Sequence, residues 1–200
     1  MADTFRRLIE PLDEKRHARD RFSCGVESLD AYLRSRARQD RQKWTAAIFV
    51  LAEGPTIIGY YTLSSYSIHP GDLPDDLARR LPRYPHLPAT LIGRLAVDTN
   101  YRKQGFGEQL LLDALKRAFD NTSEIGSVAV VVEAENANAI AFYRSYGFLQ
   151  FPGNPDKLFL PMRTIRDLFA KSLYEQARSQ PKPGQQHVLH FTVVQRIVNI

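Results

Sequence analysis

Residues 91–112 read LIGRLAVDTNYRKQGFGEQLLL. The first seven, Leu91 to Val97, are an apolar run of the length of a buried strand. Asp98-Thr99-Asn100 breaks that run, and Arg102-Lys103-Gln104-Gly105-Phe106-Gly107 follows. Leu110, Leu111, Leu112 and Leu115 then fall on the core side of a helix. Strand, glycine-bearing turn and helix start together make an anion site. The first N–H groups of a helix have no intrahelical partner, and the helix dipole adds partial positive charge there. Gly105 and Gly107 remove β-carbons that would hold a phosphate away, and Arg102 and Lys103 add mobile positive charge. Glu108 is read as a cap of the helix.

Two common phosphate loops are excluded. Leu110 stands where a dinucleotide-binding GxGxxG needs its third glycine, and the Gly-Lys-Ser/Thr of a P-loop is missing. The pattern Arg102-x-x-Gly105-x-Gly107 resembles the acetyl-coenzyme A loop of the GNAT N-acetyltransferases. Further on, Asn136-Ala137-Asn138-Ala139-Ile140-Ala141-Phe142-Tyr143-Arg144-Ser145-Tyr146-Gly147-Phe148 resembles the second signature of that family.

The resemblance implies an α/β (α+β) GNAT fold, a mixed central sheet flanked by helices. Two parallel strands, about 91–97 and 127–133, are expected to splay and admit the pantetheine arm. Acetyl-coenzyme A is the implied acetyl donor, its pyrophosphate on the amides from Gln104 through Gly105, Phe106 and Gly107 to Glu108. Arg102, Lys103 and Asn138 are implied as further contacts. The strand end Leu95, Ala96 and Val97 is implied to meet the acetyl group, with a backbone N–H near Val97, where the strand bulges, on its carbonyl. Tyr143 is the implied general acid, because a phenol keeps its proton at neutral pH and can donate it to a thiolate. Tyr146 is read as packing. No carboxylate stands out as a general base; Glu133 and Glu135 end the strand before the Asn/Ala helix. An α-amine titrates near neutrality, so a dedicated base is not required.

The chain has 200 residues, enough for one domain with a sizeable core. The boundaries expected are an acetyltransferase domain over 1–175, then a linker and peripheral tail over 176–200, where Pro181-Lys182-Pro183-Gly184 changes the composition. One cysteine, Cys24, excludes an internal disulfide and reads as a small buried residue. His69 and His86 are loop residues and no metal is expected. No apolar run reaches the length of a membrane span and no leader pattern opens the chain, so a cytoplasmic protein without a membrane partner is expected.

Taken in order, Leu8, Ile9 and Leu12 form either a first strand or a loose entry. Leu29, Tyr32, Leu33 and Ala37 predict a helix from about Glu27 to Gln39. Its far end is basic, either a solvated face or a phosphate contact. Ala47–Ala52 and Thr56–Ile68 predict a hairpin turning at Gly54-Pro55. His69 to Pro88 is a proline-rich connection with a short helix at Asp75–Arg80. Ile125–Ala134 predicts a strand covered on both faces. Strands near Phe148–Phe151 and Lys157–Met162 and a helix over Thr164–Gln176 follow, with a late strand possible within His187–Ile200.

A narrower resemblance covers roughly residues 20–170. Phe22-Ser23-Cys24-Gly25, Leu29-Asp30-Ala31-Tyr32-Leu33, Gly59-Tyr60-Tyr61-Thr62-Leu63-Ser64, Leu81-Pro82-Arg83-Tyr84-Pro85-His86-Leu87-Pro88 and Gly93-Arg94-Leu95-Ala96-Val97-Asp98 resemble the GNAT toxins of type II toxin–antitoxin systems. That resemblance implies acetylation of the α-amine of aminoacyl-tRNA, which halts translation, together with a ribbon-helix-helix antitoxin and a homodimer. The net charge of +5 suits a tRNA substrate held by its phosphates, and Arg34, Arg36, Arg38, Arg79, Arg80 and Arg83 are the candidates. Arg94 is read alternatively as a structural strand-end residue. The alternative substrate is a protein N-terminus or a small-molecule amine; a polyamine site would be lined with acids.

Overall fold

The computed structural model describes residues 8–179, with side chains to Lys171. Seven strands lie in one sheet among these residues: β1 (Leu8–Pro11), β2 (Ala47–Glu53), β3 (Thr56–Ile68), β4 (Leu87–Val97), β5 (Ala129–Glu133), β6 (Leu149–Phe151) and β7 (Asn154–Pro161). Their order is β1-β2-β3-β4-β5-β7-β6, and only the β4–β5 pair is parallel. The expected hairpin is β2–β3, and the first residues join it as a strand rather than a loose entry.

One face of the sheet carries Leu51, Ile58, Tyr61, Ile92, Val130 and Val132 against α4 (Phe106–Asp120), with α5 (Ala137–Ser145) and α6 (Met162–Ser179) alongside. Leu110, Leu111, Ala114 and Leu115 are the buried stripe of α4, at helical spacing. The Tyr61 phenol donates to Asp113, and Arg117 Nε lies 2.8 Å from the same carboxylate, locking the helix to β3. The other face is covered in two halves. The helix Glu27–Gln42 packs Leu29, Tyr32, Leu33 and Ala37 on Ile48, Val50 and Tyr60. It consists of α1 (Glu27–Ala31), a π-helical turn at Tyr32–Arg36, and α2 (Ala37–Gln42). The segment around α3 (Asp75–Ala78) packs Leu73, Leu77 and Leu81 on Ile68, Ala89 and Val131.

Two expectations change here. β5 begins at Ala129, not Ile125, whose side chain is 74% exposed. The Ile125 N–H closes the turn after α4 on Asn121 O at 2.8 Å, so a residue counted as strand belongs to a helix end. At the C-terminus α6 runs to Ser179, beyond the expected end at Gln176 and past residue 175. The linker after it and the segment His187–Ile200 lie outside the described residues.

Asp30 is a buried carboxylate holding the N-terminal segment to α1. It accepts from the Cys24 N–H at 2.7 Å and from Ser23 Oγ at 3.0 Å. Burial works against its charge, but these donations outweigh it and hold the carboxyl below the usual range. A lowered folded pKa means that the stabilisation is complete above the unfolded value of about 3.9 and is lost as pH falls through the lower one. Asp30→Asn should therefore lose about 1–3 kcal/mol at pH 7, with the gap to wild type narrowing below pH 4. Urea melts of both chains at pH 7 and pH 3.5 check this.

Candidate active site

The parallel pairing of β4 with β5 has three rungs, Thr90–Val130, Leu91–Val131 and Ile92–Val132, and then stops. β4 goes on to Val97, still paired with Gly59 of β3 on its other side. Gly93 is a bulge: Thr62 pairs with Arg94 and Leu63 with Ile92, leaving Gly93 unmatched. A β-carbon at Gly93 would stand only 3.2 Å from the Thr62 hydroxyl, which suits glycine. The extra residue also swaps the faces of the strand. Before it Leu91 joins the α3 side and Ile92 the α4 side; after it Leu95 and Val97 face α4 and Ala96 faces α1. The bulge was expected near Val97, and it lies four residues earlier, where the two strands part.

The gap is a cleft of about 220 Å³. One wall is Gly93 to Val97 with Arg94 and Arg102; the other carries Glu133, Glu135, Asn136, Ala139 and Tyr143. Leu95, Ala96, Val97, Arg102 and Tyr143 are thus brought together as expected. Asn138 is exposed on the first turn of α5 outside this lining, while Asn136 lies within it and caps α5 by accepting from the Ala139 N–H at 3.0 Å.

At the end of β4 a short loop leads into α4. Lys103 and Gly105 both have positive φ, +59° and +80°. Gly105 is the N-cap of α4, and no side chain caps the helix. The expected cap, Glu108, instead faces Tyr146, whose phenol is pushed up to about 12 by burial first and then by that carboxylate. The N–H groups opening α4 are therefore left to an outside anion. A β-carbon at Gly105 would meet nothing within 4 Å, and one at Gly107 would touch only Phe142 and Val97 at 3.8–3.9 Å. The protein has room for larger residues here; the space suits a ligand. The side chain of Phe106 is buried against Tyr101, so this residue offers the site only its backbone.

Arg102 is not the mobile charge that its sequence position suggested. Its guanidinium donates to the Cys24 carbonyl. Asp98 does similar work: it accepts from Ser23 N–H and from Asn100 N–H at 3.0 and 2.9 Å, and Thr99 N–H donates to Ser23 O at 2.9 Å. The anion loop is thereby stitched to residues 23–24, and through Asp30 to α1. Neither carboxylate stands out in the sequence, where Asp98 looks like an ordinary turn residue and Asp30 like one more residue of its helix. The sequence also left Arg94 at a strand end, whereas Arg94 is mid-strand, with its guanidinium 3.6 Å from the centre of the Tyr32 ring.

Tyr143 lies wholly among Phe142, Phe148 and the α4 core. Burial alone raises its phenol well above the ordinary value, so its proton is retained at neutral pH. No described residue hydrogen-bonds its hydroxyl, and the residue contributes to the cleft wall. Glu133 is held by Lys157 at 3.0 Å, whose Nζ also reaches the Tyr66 hydroxyl at 2.7 Å. Of the candidate arginines, Arg34 pairs with Glu27 at 2.7 Å, Arg38 with Glu14 at 3.0 Å and Arg79 with Asp75 at 3.7 Å. Arg36 and Arg83 are exposed without a carboxylate partner among the described residues. Arg80 edges a separate apolar cavity of about 270 Å³ beneath α3. None of the six lines the cleft; they lie on the α1–α2 helix and on the 69–86 segment, which cover the two halves of one sheet face. Among the described residues no group of side chains could hold a metal ion, and no helix is long and apolar enough to cross a membrane.

Residues 14–148 match the family model described as acetyltransferase (GNAT) family. The chain is 35% identical over 172 residues to the probable toxin TacT of Sinorhizobium fredii (strain NBRC 101917 / NGR234), covering 82% of this chain and 95% of that one. It is 36% identical over 147 residues to the tRNA-acetylating toxin of Mycobacterium tuberculosis (strain ATCC 25618 / H37Rv), covering 74% and 87%. Among solved structures, AtaT complexed with acetyl-methionyl-tRNAfMet superposes with a TM-score of 0.75 at 29% identity, over 81% of this chain and 98% of that one. A tyrosine-to-phenylalanine mutant of AtaT, bound to the C-terminus of the antitoxin AtaR and to acetyl-CoA, superposes with a TM-score of 0.69 at 27% identity, over 81% and 97%.

Cys24 lines the cleft, yet burial first and the Asp30 hydrogen bond second push its thiol up to about 11. Against an ordinary thiol at 9.0, that lowers the thiolate fraction at pH 8 by about 100-fold. Iodoacetamide at pH 8 should therefore label the native chain about 100-fold more slowly than the urea-unfolded chain, as mass spectrometry of this single cysteine would show.

Proposed function

Because the chain belongs to the acetyltransferase (GNAT) family, we propose that its cleft transfers an acetyl group from acetyl-coenzyme A to the α-amine of aminoacyl-tRNA, as a toxin that blocks translation. Likeness to a tRNA-acetylating toxin over most of the chain carries this reading. The structural neighbour holding acetyl-methionyl-tRNA supports it.

Acetyl-coenzyme A, when bound, supplies the acetyl group as a reactive thioester. The residues fit it: the uncapped start of α4 suits a diphosphate, and Gly105 and Gly107 leave the room it needs. Arg102 shapes that loop by anchoring it on Cys24, while Lys103, Gln104, Phe106 and Glu108 contribute backbone. Between the parted strands, the unpaired edge of Leu95, Ala96 and Val97 offers N–H groups to a carbonyl. Tyr143 holds a proton at its phenol oxygen for a departing thiolate. Asn138, exposed on the turn that follows the cleft-lining Asn136, is the further contact proposed for the cofactor. An α-amine is partly unprotonated near pH 7.7, so the cleft needs no strong base. Arg34, Arg36, Arg38, Arg79, Arg80 and Arg83 are the cationic surface for tRNA phosphates, with Arg36, Arg80 and Arg83 paired to no carboxylate among the described residues. The proposal extends to a ribbon-helix-helix antitoxin, a homodimer and a cytoplasmic location. The antitoxin-bound neighbour supports an antitoxin partner. The acetyltransferase domain is taken to end near residue 175.

The direct test incubates the purified chain with acetyl-coenzyme A and either charged or deacylated tRNA. N-acetyl-amino acid should be released by mild base from the charged tRNA only; acetylation of a polyamine or a peptide N-terminus with none on aminoacyl-tRNA would replace the substrate assignment.

Two variants test the parts. Tyr143→Phe removes one hydroxyl that no described protein group bonds, so its melting temperature should stay within a degree or two. Its turnover should fall roughly 10²–10⁴-fold, about 3–5 kcal/mol of barrier. Gly107→Ala should fold normally, since its β-carbon finds ordinary contacts, but bind acetyl-coenzyme A about tenfold more weakly by isothermal titration.

A further inference from the structure

Helix α2 ends on a turn built for glycine. The Thr45 N–H reaches Asp40 O at 3.0 Å and the Trp44 N–H reaches Arg41 O at 3.3 Å. This is the two-bond helix stop whose central residue takes a left-handed conformation, usually as glycine. Here that residue is Trp44, at φ +55°. A bulky side chain in this conformation is strained, and such strain persists where something other than local folding requires the residue. Packing is not the requirement. Trp44 is 91% exposed, and its ring has no aromatic, cationic or hydrogen-bonding partner among the described residues. It belongs to no core cluster.

Its surroundings are cationic. Lys43 precedes it, and Lys43 and Arg36 are exposed with no carboxylate partner among the described residues. Its place in the fold is also informative. Three residues on, Ala47 starts β2 opposite Leu63, Leu63 lies opposite Ile92, and Ile92 opposite Val132. That line across the sheet is the last rung before β4 and β5 part. Two strand spacings of about 4.8 Å separate Ala47 from the rung's β4 residue. Trp44 follows the helix covering that half of the face and leads into β2 at this rung.

We infer that Trp44 is a stacking platform for an unpaired base of the tRNA substrate, beside the arginines and Lys43 that meet its phosphates. This rests on the aminoacyl-tRNA reading and adds a contact to it. An exposed, flat ring in a basic setting is what single-stranded nucleic acid uses, because every base has a face to stack while the cations hold the backbone.

The chain contains one tryptophan, so its fluorescence reports this residue alone. Titration with deacylated tRNA should quench the emission, whereas acetyl-coenzyme A alone should leave it nearly unchanged. Trp44→Ala should raise KM for aminoacyl-tRNA about tenfold, in the range stacked bases show, with kcat held. Trp44→Phe should stay within about threefold of wild type, and Trp44→Leu should resemble the alanine variant. The melting temperature of Trp44→Ala should stay close to wild type's, since alanine keeps the β-carbon and the lost indole packs on nothing. A wild-type KM in Trp44→Ala or Trp44→Leu, or an unquenched tryptophan at saturating tRNA, overturns the stacking role while leaving the substrate reading intact. A wild-type enzyme that turns over no aminoacyl-tRNA overturns the substrate reading itself.

Discussion

The structure depends on where one pair of strands stops hydrogen bonding. β4 and β5 share three rungs and part after Ile92 and Val132, while β4 remains paired with β3 to Val97. Backbone groups inside a sheet are almost always paired, so an unpaired inner edge is a place made for a ligand. The bulge at Gly93 sits at the parting point and turns Leu95 and Val97 toward α4. The same step divides the opposite face, with α1–α2 over one half and α3 over the other. A cleft through the middle of the sheet follows.

The second constraint is how the anion loop is held. An uncapped helix start binds anions only if the preceding loop is kept in place, and here that falls to residues distant in sequence. Asp98 and Arg102 grip Ser23 and Cys24, and Asp30 grips the same two residues from α1. The loop proposed for the cofactor and the helix proposed to meet tRNA are thus tied through one short segment. Carboxylates and a guanidinium that look like site chemistry serve this scaffold. The cleft walls keep a buried phenol, a row of open amides, and Glu135 beside the Lys157-paired Glu133. Charge follows a similar division: half of the six candidate arginines are engaged by acids of their own surface, and Trp44 stands with the unengaged cations Arg36 and Lys43.

The sequence by itself determined the class of protein. Strand, glycine turn and leucine-striped helix at 91–115, with the Asn/Ala helix carrying Phe142 and Tyr143, were legible because each is a local pattern with a local cause. Hydrophobic period, missing β-carbons and a phenol at a fixed spacing all survive in a linear reading. The hairpin, the basic helix and the segment under α3 were legible for the same reason. Only the tertiary structure decided what joins across the fold. That Arg102 serves Cys24, that Glu108 faces Tyr146 rather than its own helix end, and that Ile125 is exposed depend on partners up to 78 residues away or on where a helix chooses to stop. The bulge at Gly93 was misplaced because register is a property of two strands, not one. Trp44 carried no signal in the sequence, since its meaning lies in a backbone angle and in the absence of neighbours, and both exist only once the chain has folded.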